Sequence, residues 1–293
     1  MMQNVVSLIR PHQWLKNSFV FLPMFFGGMF GNIWCWRQAI IAFFAFSFAS
    51  SSIYCLNDII DREADKKHPV KCIRPLASGK ISVVQAIVIA ILFLSISFVL
   101  CIFEGRGFIL KAFSILLLYI SINLAYCLKL KQVAILDVML VSFGFVLRLI
   151  LGGIVCDIWL SPWIVSLTFL IALLLAFAKR RDDVILLNNG EKIIRKSIIN
   201  YNIPFLDQTL AVLAAITIVC YIMYTVSPDV IDRIGSDYVY SSSIFVIGGI
   251  LRYLQIALVF KRTGSPTKVL INDRFIQSMI ILWIFTFLFL LYL

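Results

Sequence analysis

The sequence is poor in charge and in histidine, and each shortage excludes a class of protein. Only 14% of the 293 residues are charged, whereas 61% are hydrophobic, and the mean hydropathy is +0.98. Soluble domains are about a quarter charged, so this composition excludes them and indicates an integral membrane protein. The two histidines, His12 and His68, lack the partners expected of a catalytic dyad, so we expect neither to act as a catalytic base.

The cysteines and the net charge exclude further classes. Seven cysteines are scattered singly without a CxxC pair, so we infer neither a disulfide framework nor a zinc site. The formal net charge of +11 does not indicate a nucleic-acid partner, because the cations lie against predicted membrane segments and form no independent basic face. Anionic lipid headgroups or a phosphorylated substrate are the expected partners.

The apolar runs predict an all-α, multi-pass transmembrane bundle of nine helices. At roughly 20 apolar residues per span, the length leaves no room for a separate soluble domain. We therefore expect a single domain over residues 1–293. The predicted spans lie near residues 18–35, 38–56, 82–103, 108–127, 133–155, 160–178, 206–226, 239–260 and 275–293.

The distribution of Lys and Arg predicts the orientation in the plasma (inner) membrane. With nine spans, one side carries the N-terminus and the larger charged loops, which together hold 20 basic residues, whereas the other side holds four. Short cytoplasmic loops carry the excess of positive charge. The N-terminus and the charged loops, which carry most of the candidate site residues, are therefore expected to face the cytoplasm.

The second predicted helix ends in a cluster of acids. If the helix continues, Asp58, Asp61 and Asp65 stand at i, i+3 and i+7 and lie within about 60° of one another, with Asn57 at the edge of that face. Glu63 points about 140° away from Asp58 and is excluded from the set. Clustered carboxylates repel one another unless a cation neutralises them, and oxygen ligands suit Mg²⁺. The pattern predicts a magnesium site that also binds pyrophosphate.

A cationic loop follows these acids. Lys71 and Arg74 lie in a segment stiffened by prolines, and a cationic loop beside a metal cluster suits a polyphosphate. The alternative is a solvated juxtamembrane loop whose acids only pair with their basic neighbours Arg62, Lys66 and Lys67.

The sequence from Asn57 to Asp65 resembles the first aspartate-rich motif of the UbiA superfamily of intramembrane prenyltransferases. Four blocks in order resemble the decaprenyl-phosphate phosphoribosyltransferase branch: "RPHQWLKN" (10–17), "NDIIDREADKKHPVKCIRPLASG" (57–79), "AKRRDD" (178–183) and "RYL" (252–254). The resemblance implies nine helices around a cavity closed by cytosolic loops. It also implies transfer of 5-phosphoribose from phosphoribosyl pyrophosphate (PRPP) to a polyprenyl phosphate, in a pathway such as cell wall biosynthesis.

From this resemblance, together with the spacing of the acids, we assign catalytic and metal-binding roles to Asp58, Asp61 and Asp65. The predicted substrate-binding side chains are Lys16, Asn17, Asn57, Arg62, Lys71, Arg74, Arg148, Lys179, Arg180, Asp183, Arg195, Tyr201 and Arg252.

The second acidic motif departs from the superfamily pattern of aspartates four residues apart. Here only the adjacent Asp182 and Asp183 are present. We expect Asp183 to contribute to metal or ribose binding, and Lys179 and Arg180 to contact phosphate. Alternatively, Lys179 and Asp183 form an ion pair that contributes little to stability.

Other assignments also have a structural alternative. Lys16 could serve as a positive-inside anchor, and Arg195 and Tyr201 could belong to a surface amphipathic helix. Arg148 and Arg252 lie within predicted spans, where a cation is costly and faces either a polar cavity or an acid. For Arg148 the candidate acids are Asp137 and Asp157.

Two other functions remain open. An aromatic prenyltransferase of the same superfamily would use a polyprenyl diphosphate donor, but the altered second motif and the surplus of basic residues argue against it. A transporter with an arginine-lined anion pathway would distribute charge through the membrane depth, which the count of 20 against four disfavours. The acceptor chain length and the oligomeric state, a homo-oligomer included, are left open.

Overall fold

A computed structural model of the chain describes residues 2–67, 70–105, 107–188, 196–260, 269 and 272–292, and over these residues the regular secondary structure is entirely helical. The α-helices are α1 (Met2–Ile9), α2 (Leu22–Phe26), α3 (Ile33–Ile60), α4 (Arg62–Lys66), α5 (Val83–Ile102), α6 (Ile109–Leu128), α7 (Leu136–Val155), α8 (Pro162–Asn188), α9 (Ile203–Thr225), α10 (Pro228–Ile234), α11 (Ser243–Leu258) and α12 (Arg274–Tyr292). Short 3₁₀ helices cover Pro11–Phe21, Lys71–Ile73, Leu130–Gln132, Lys196–Asn200 and Asp237–Ser242.

Within the described residues, seven helical segments are long and apolar enough to cross a membrane. They are α3, α5, α6, α7, α8, α9 and the segment Asp237–Leu258 that contains α11. The final helix is apolar over the shorter stretch Arg274–Leu290. The predicted all-α, multi-pass membrane bundle is confirmed, and every predicted span after the first coincides with one of these helices.

The first predicted span, residues 18–35, is not a single helix. The 3₁₀ helix Pro11–Phe21 passes into the short α2, and the chain then turns at Gly28, whose φ of 66° lies in the left-handed region. Helix α3 begins afresh after Asn32, whose side chain accepts hydrogen bonds from two N–H groups of the first turn. A left-handed glycine and a new N-cap interrupt helical hydrogen bonding even where hydropathy is continuous.

The chain divides into two compact units, Met1–Leu160 and Ser161–Leu293. The single domain over residues 1–293 stays a prediction. Each unit is built from its own helices and its own core.

In the first unit, α3 packs closely against α5 through small residues. Alanines and serines make up most of the buried positions of α3. Ser52 Oγ donates to Ala90 O at 2.8 Å, and Ser97 Oγ donates to Ala45 O at 2.7 Å. Small side chains let membrane helices approach, and hydroxyl groups that bond across helices hold them together.

The 3₁₀ helix Pro11–Phe21 packs against α3 and α7. A Cβ atom added at Gly152 would lie 2.0 Å from the carbonyl oxygen of Val20, so only glycine permits this close approach to α7. The crossing brings the N-terminal segment, including Asn17, against Arg148 of α7.

In the second unit, α9 packs against both α8 and α11, and α11 also packs against α12. Arg181 of α8 donates to Asp207 at 2.5 Å and to the carbonyl oxygen of Ala257 at 2.8 Å, which ties α8 to α9 and α11. Trp283 Nε1 of α12 donates to Tyr221 Oη of α9 at 2.5 Å. These bonds satisfy polar groups that would be costly to leave unpaired in an apolar surrounding.

Candidate active site

The acidic stretch lies where α3 leaves the bilayer core. Helix α3 has 28 residues and is therefore about 42 Å long, more than the ~30 Å hydrocarbon core requires. It ends at Ile60, and Asp61 joins it to α4. The backbone N–H of Asp61 donates to Asn57 O at 2.9 Å, and that of Asp65 donates to Asp61 O at 2.8 Å. Helical bonding thus continues across the junction, as the spacing of the three acids requires.

Two of the three acids converge on one arginine. Arg74 Nη1 lies 3.1 Å from Asp58 Oδ1 and 2.7 Å from Asp65 Oδ2. Both carboxylates are buried, with 1% of Asp58 and 3% of Asp65 exposed. Two buried carboxylates this close are stable as anions only when a cation lies between or beside them. We call Asp58 and Asp65 the acidic pair.

Arg10 supplies a second cation to the acidic pair. Its Nη2 lies 2.5 Å from Asp58 Oδ1, and its guanidinium lies over the ring of Tyr54 at 5.2 Å from the centroid. Arg10 has a φ of 52°, uncommon for a residue other than glycine. This left-handed residue joins α1 to the 3₁₀ helix Pro11–Phe21, and the sharp change of direction there accompanies the contact of Arg10 with Asp58.

The third acid has a different partner. Asp61 Oδ1 lies 2.5 Å from Lys131 Nζ, and the same ammonium group donates to Asn57 Oδ1 at 3.4 Å. Lys131 belongs to the 3₁₀ turn between α6 and α7. Glu63, which the helical geometry excludes from the set, is exposed and pairs with Lys66 at 2.8 Å; this hydrogen bond lowers the pKa of Glu63.

The acidic pair has the donor chemistry that Mg²⁺ prefers. Among the described residues, no group of three or more His, Cys, Asp or Glu side chains is arranged to hold a metal ion. Magnesium, however, commonly binds through one or two carboxylates and completes its octahedron with water and substrate phosphates. Asp58 Oδ2 is buried and has no hydrogen-bond partner among the described residues. Two convergent carboxylates with an unused buried oxygen fit such a site.

A second polar cluster lies deeper in the first unit. Arg148 Nε donates to Asn17 Oδ1 at 2.7 Å, and Nη2 donates to Tyr119 Oη at 3.3 Å. The guanidinium also lies 4.9–5.2 Å from the centroids of three rings, those of Phe46, Tyr119 and Phe145. Asn17 and Arg148 were both predicted from the sequence to bind substrate, and the structure brings them into contact with each other.

The depth of this cluster follows from its contact with α3. Asn17 Nδ2 donates to Ser47 Oγ at 3.0 Å, and Ser47 precedes Asp58 on α3 by about 16 Å along the axis. Neither Asp137 nor Asp157 is a bonding partner of Arg148 in the described part of the chain. An amide, a phenol and aromatic rings surround this cation, rather than either of the two candidate acids.

The other predicted residues of the first unit lie on the segments around the acidic pair. Lys16 is exposed on the 3₁₀ helix Pro11–Phe21. Arg62 lies in α4, and its Nε is buried without a hydrogen-bond partner among the described residues. Lys71 lies in a 3₁₀ turn directly before Arg74.

In the second unit, the altered acidic motif lies in the last part of α8. Arg180 is buried and donates to Asp183 Oδ2 at 3.0 Å, whereas Lys179 is exposed. This i, i+3 contact holds the Asp183 carboxylate against a cation of its own helix. Tyr201 is buried, with its ring 6.2 Å from that of Phe205. Arg195 lies outside the described residues.

Arg252 pairs with an acid, which is one of the two surroundings expected for a cation within a predicted span. Its Nη2 lies 2.9 Å from Asp273 Oδ2, and its Nε contacts both carboxylate oxygens. Asp273 also accepts a bond from the N–H of Ile276 in the first turn of α12. The hydrogen bond from Arg252 lowers the pKa of Asp273. The pair joins α11 to the start of α12, which favours the structural alternative for Arg252.

Comparison with known proteins identifies the family. The model of the UbiA prenyltransferase family matches residues 20–187, which include the acidic pair, Arg148 and Asp183.

The chain belongs to the UbiA prenyltransferase family.

Curated relatives of this UbiA-family chain match it over nearly its whole length. The decaprenyl-phosphate phosphoribosyltransferase of Mycolicibacterium smegmatis is 30% identical over 98% of this chain and 92% of its own. The protein of the same name from Corynebacterium glutamicum is 31% identical over 96% of this chain and 84% of its own.

Solved structures show the same fold. A UbiA homolog from Archaeoglobus fulgidus bound to DMAPP and Mg²⁺ matches with a TM-score of 0.73 at 19% identity, over 98% of this chain and 99% of that one. The same homolog bound to GPP and Mg²⁺ gives 0.71 at 20% identity, over 99% and 100%. The predicted UbiA-like fold is confirmed.

Sequence reasoning about this UbiA-family chain missed two cations. Neither Arg10 nor Lys131 is among the predicted site residues, yet both contact the aspartates directly. The sequence spacing could not reveal these contacts, because the partners are 48 and 70 residues away. The one available signal was their place on the predicted cytoplasmic side.

Proposed function

We propose that this chain transfers 5-phosphoribose from PRPP to a polyprenyl phosphate, releases pyrophosphate and requires Mg²⁺. The observation that carries the proposal is its identity of 30–31% to decaprenyl-phosphate phosphoribosyltransferases over 96–98% of its length. The acidic pair and the cations around it supply the chemistry that such a reaction needs.

The reaction joins two polyanions, so charge neutralisation is its main requirement. Three cations contact the aspartates: Arg10, Arg74 and Lys131. Arginine and lysine side chains that are already held in place can bind phosphate oxygens without first being ordered. This arrangement favours a donor with several phosphate groups.

The acceptor needs no catalytic base. A phosphate monoester has a second pKa near 6 and is mostly dianionic at neutral pH, so it is already a nucleophile. Its oxygen forms a bond to the anomeric carbon of the ribose, while the bond from that carbon to the pyrophosphate oxygen breaks and the pyrophosphate leaves with the electron pair. A single displacement inverts the anomeric carbon. This is consistent with a chain that has only two histidines.

The acidic pair would hold the metal ion, with Asp61 as a third candidate ligand. When bound, Mg²⁺ would neutralise charge on the departing pyrophosphate. The chain's own part is to keep Asp58 and Asp65 buried and close together. Arg74 holds both carboxylates in that arrangement.

A membrane location suits the two substrates. The isoprenoid tail stays in hydrocarbon, while the acceptor phosphate reaches the charged end of α3 at the interface. We place this end at the cytoplasmic face of the plasma membrane, because the loops there carry most of the basic residues.

The test is transfer by the purified protein in lipid nanodiscs with Mg²⁺, ribose-labelled PRPP and a polyprenyl phosphate. We expect label to enter the organic phase, transfer to stop with a chelator of divalent ions, and the product to have the inverted anomeric configuration. Label that stays water-soluble would contradict the proposal. Turnover of a polyprenyl diphosphate with an aromatic acceptor in the same preparation would instead indicate the aromatic prenyltransferase. Mass spectrometry of the lipid product gives the acceptor.

A further inference from the structure

The end of the first unit opposite the acidic pair contains three buried thiols and a buried carboxyl group. Cys35 lies in the first turn of α3, Cys101 in the last turns of α5, and Cys156 directly after α7. Glu104 follows α5, and its N–H donates to Cys101 O at 3.3 Å. Cys35 and Asp58 lie at opposite ends of α3, about 35 Å apart along its axis. This group is therefore separate from the candidate active site.

Cys35 and Cys156 are in contact although 121 residues separate them. Cys156 Sγ lies 3.5 Å from the backbone carbonyl oxygen of Cys35, so the Cys156 thiol directly contacts the Cys35 residue. Both belong to the same buried core cluster, with 1% of Cys35 and 5% of Cys156 exposed. A disulfide needs two sulfur atoms that can approach to about 2 Å without a large backbone movement, and the contact of the Cys156 thiol with the Cys35 backbone brings the two residues together.

Glu104 lies close enough to act electrostatically on both Cys101 and Cys156. It is 4% exposed, and its Oε2 has no hydrogen-bond partner among the described residues. Burial raises the pKa of the Cys156 thiol, so this thiol needs a nearby base in order to react. A buried carboxyl group with an unused oxygen can serve as that base.

We propose that Cys35 and Cys156 are a redox-active pair that closes to a disulfide, with Glu104 accepting the proton of the Cys156 thiol. The bond joins the start of α3 to the end of α7. Its placement on the extracytoplasmic side, where disulfides persist, depends on the orientation proposed above. The proposed pairing of Cys35 with Cys156 depends only on the contact between these two residues and not on the orientation in the membrane.

The oxidant is a small disulfide, because both thiols are too buried for contact with a folded protein. Cys156 transfers its proton to Glu104, and the thiolate attacks the small disulfide, forming a mixed disulfide and releasing one small thiolate, which takes that proton from Glu104. Cys35 then attacks the Cys156 sulfur, the bond from that sulfur to the second small molecule breaks, and the small thiolate that leaves takes up the proton of Cys35. Overall, two protein thiols are oxidised to one disulfide and the small disulfide is reduced to two thiols.

The test treats the full-length protein in nanodiscs with oxidised glutathione. After an acid quench, free thiols are alkylated under denaturing conditions and the digested peptides are identified by mass spectrometry. We expect a linked pair of peptides containing Cys35 and Cys156 that dithiothreitol removes. The link should be absent in C35A and C156A and unchanged in C220A, since Cys220 lies in the second unit. Full alkylation of Cys35 and Cys156 in the treated wild-type protein would overturn the proposal, as would a link from Cys156 to Cys101.

The role of Glu104 is tested separately by the pH dependence of closure, that is, of the rate at which the disulfide between Cys35 and Cys156 forms. Burial raises the pKa of Glu104 to about 8, against the opposing charge of Arg37 from α3. Within the part of the chain that the structure describes, the titratable and charged groups that act on it are Arg37 of α3, Cys101 of α5 and Cys156 after α7. Closure in the wild type should therefore accelerate as the pH rises through about 8. E104Q should slow it about 100-fold near neutral pH. An unchanged rate and pH profile in E104Q would overturn the assignment of Glu104.

Discussion

Replacing single carboxylates of the acidic stretch by amides tests the proposed site most directly. D58N and D65N preserve shape and hydrogen-bonding capacity while removing a negative charge that contacts Arg74. E63Q is the matched control, because Glu63 lies between these positions in sequence but is exposed and pairs only with Lys66 among the described residues.

The expected magnitude follows from the contacts. Loss of one preorganised electrostatic group in an active site typically lowers turnover about 10²–10³-fold, or about 2.7–4 kcal/mol in the activation free energy. D58N and D65N should each lose activity in this range, because each removes half of the acidic pair. E63Q should remain within about twofold of the wild type, since exposed ion pairs contribute little.

D61N distinguishes a two-carboxylate site from a three-carboxylate site. Asp61 contacts Lys131 rather than Arg74. We therefore expect the activity of D61N to fall only about tenfold, and its half-maximal Mg²⁺ concentration to stay near that of the wild type. The assay is the initial rate of label transfer from PRPP to extractable lipid at a series of Mg²⁺ concentrations. Wild-type, Mg²⁺-dependent rates in both D58N and D65N would refute the reasoning. An equal rise in Mg²⁺ requirement for all three variants would place Asp61 among the ligands.

Two further predictions concern stability and are read from thermal unfolding in nanodiscs. G152A should lower the melting temperature by several degrees, because its Cβ would lie 2.0 Å from Val20 O, whereas G31A has no atom within 4 Å and should be neutral. The lowered pKa of Asp273 means that its pair with Arg252 stabilises the fold above the usual Asp pKa near 3.9, and that this contribution is lost as the pH falls through the folded-state value. In D273N, the fall in melting temperature on acidification should lack this contribution. A dependence of the melting temperature on pH identical to that of the wild type would contradict the prediction.

Local sequence properties were sufficient for most of the fold. Hydropathy and span length act within a single helix, so the apolar runs located the later helices closely, and the motif spacing placed Asp58, Asp61 and Asp65 at one end of α3. The exception was the first span, where a left-handed Gly28 and the Asn32 cap stop the helix while the chain stays apolar. A hydropathy window does not register backbone conformation.

The sequence by itself determined the membrane class, the helices and the acids that carry the proposed chemistry, because each depends on neighbouring residues. Only the tertiary structure decided which charges meet. Arg10 reaches Asp58 across 48 residues, Lys131 reaches Asp61 across 70, and Arg148 bonds to Asn17 across 131. Such partners depend on how helices pack, and a one-dimensional pattern contains no distance between residues on different helices.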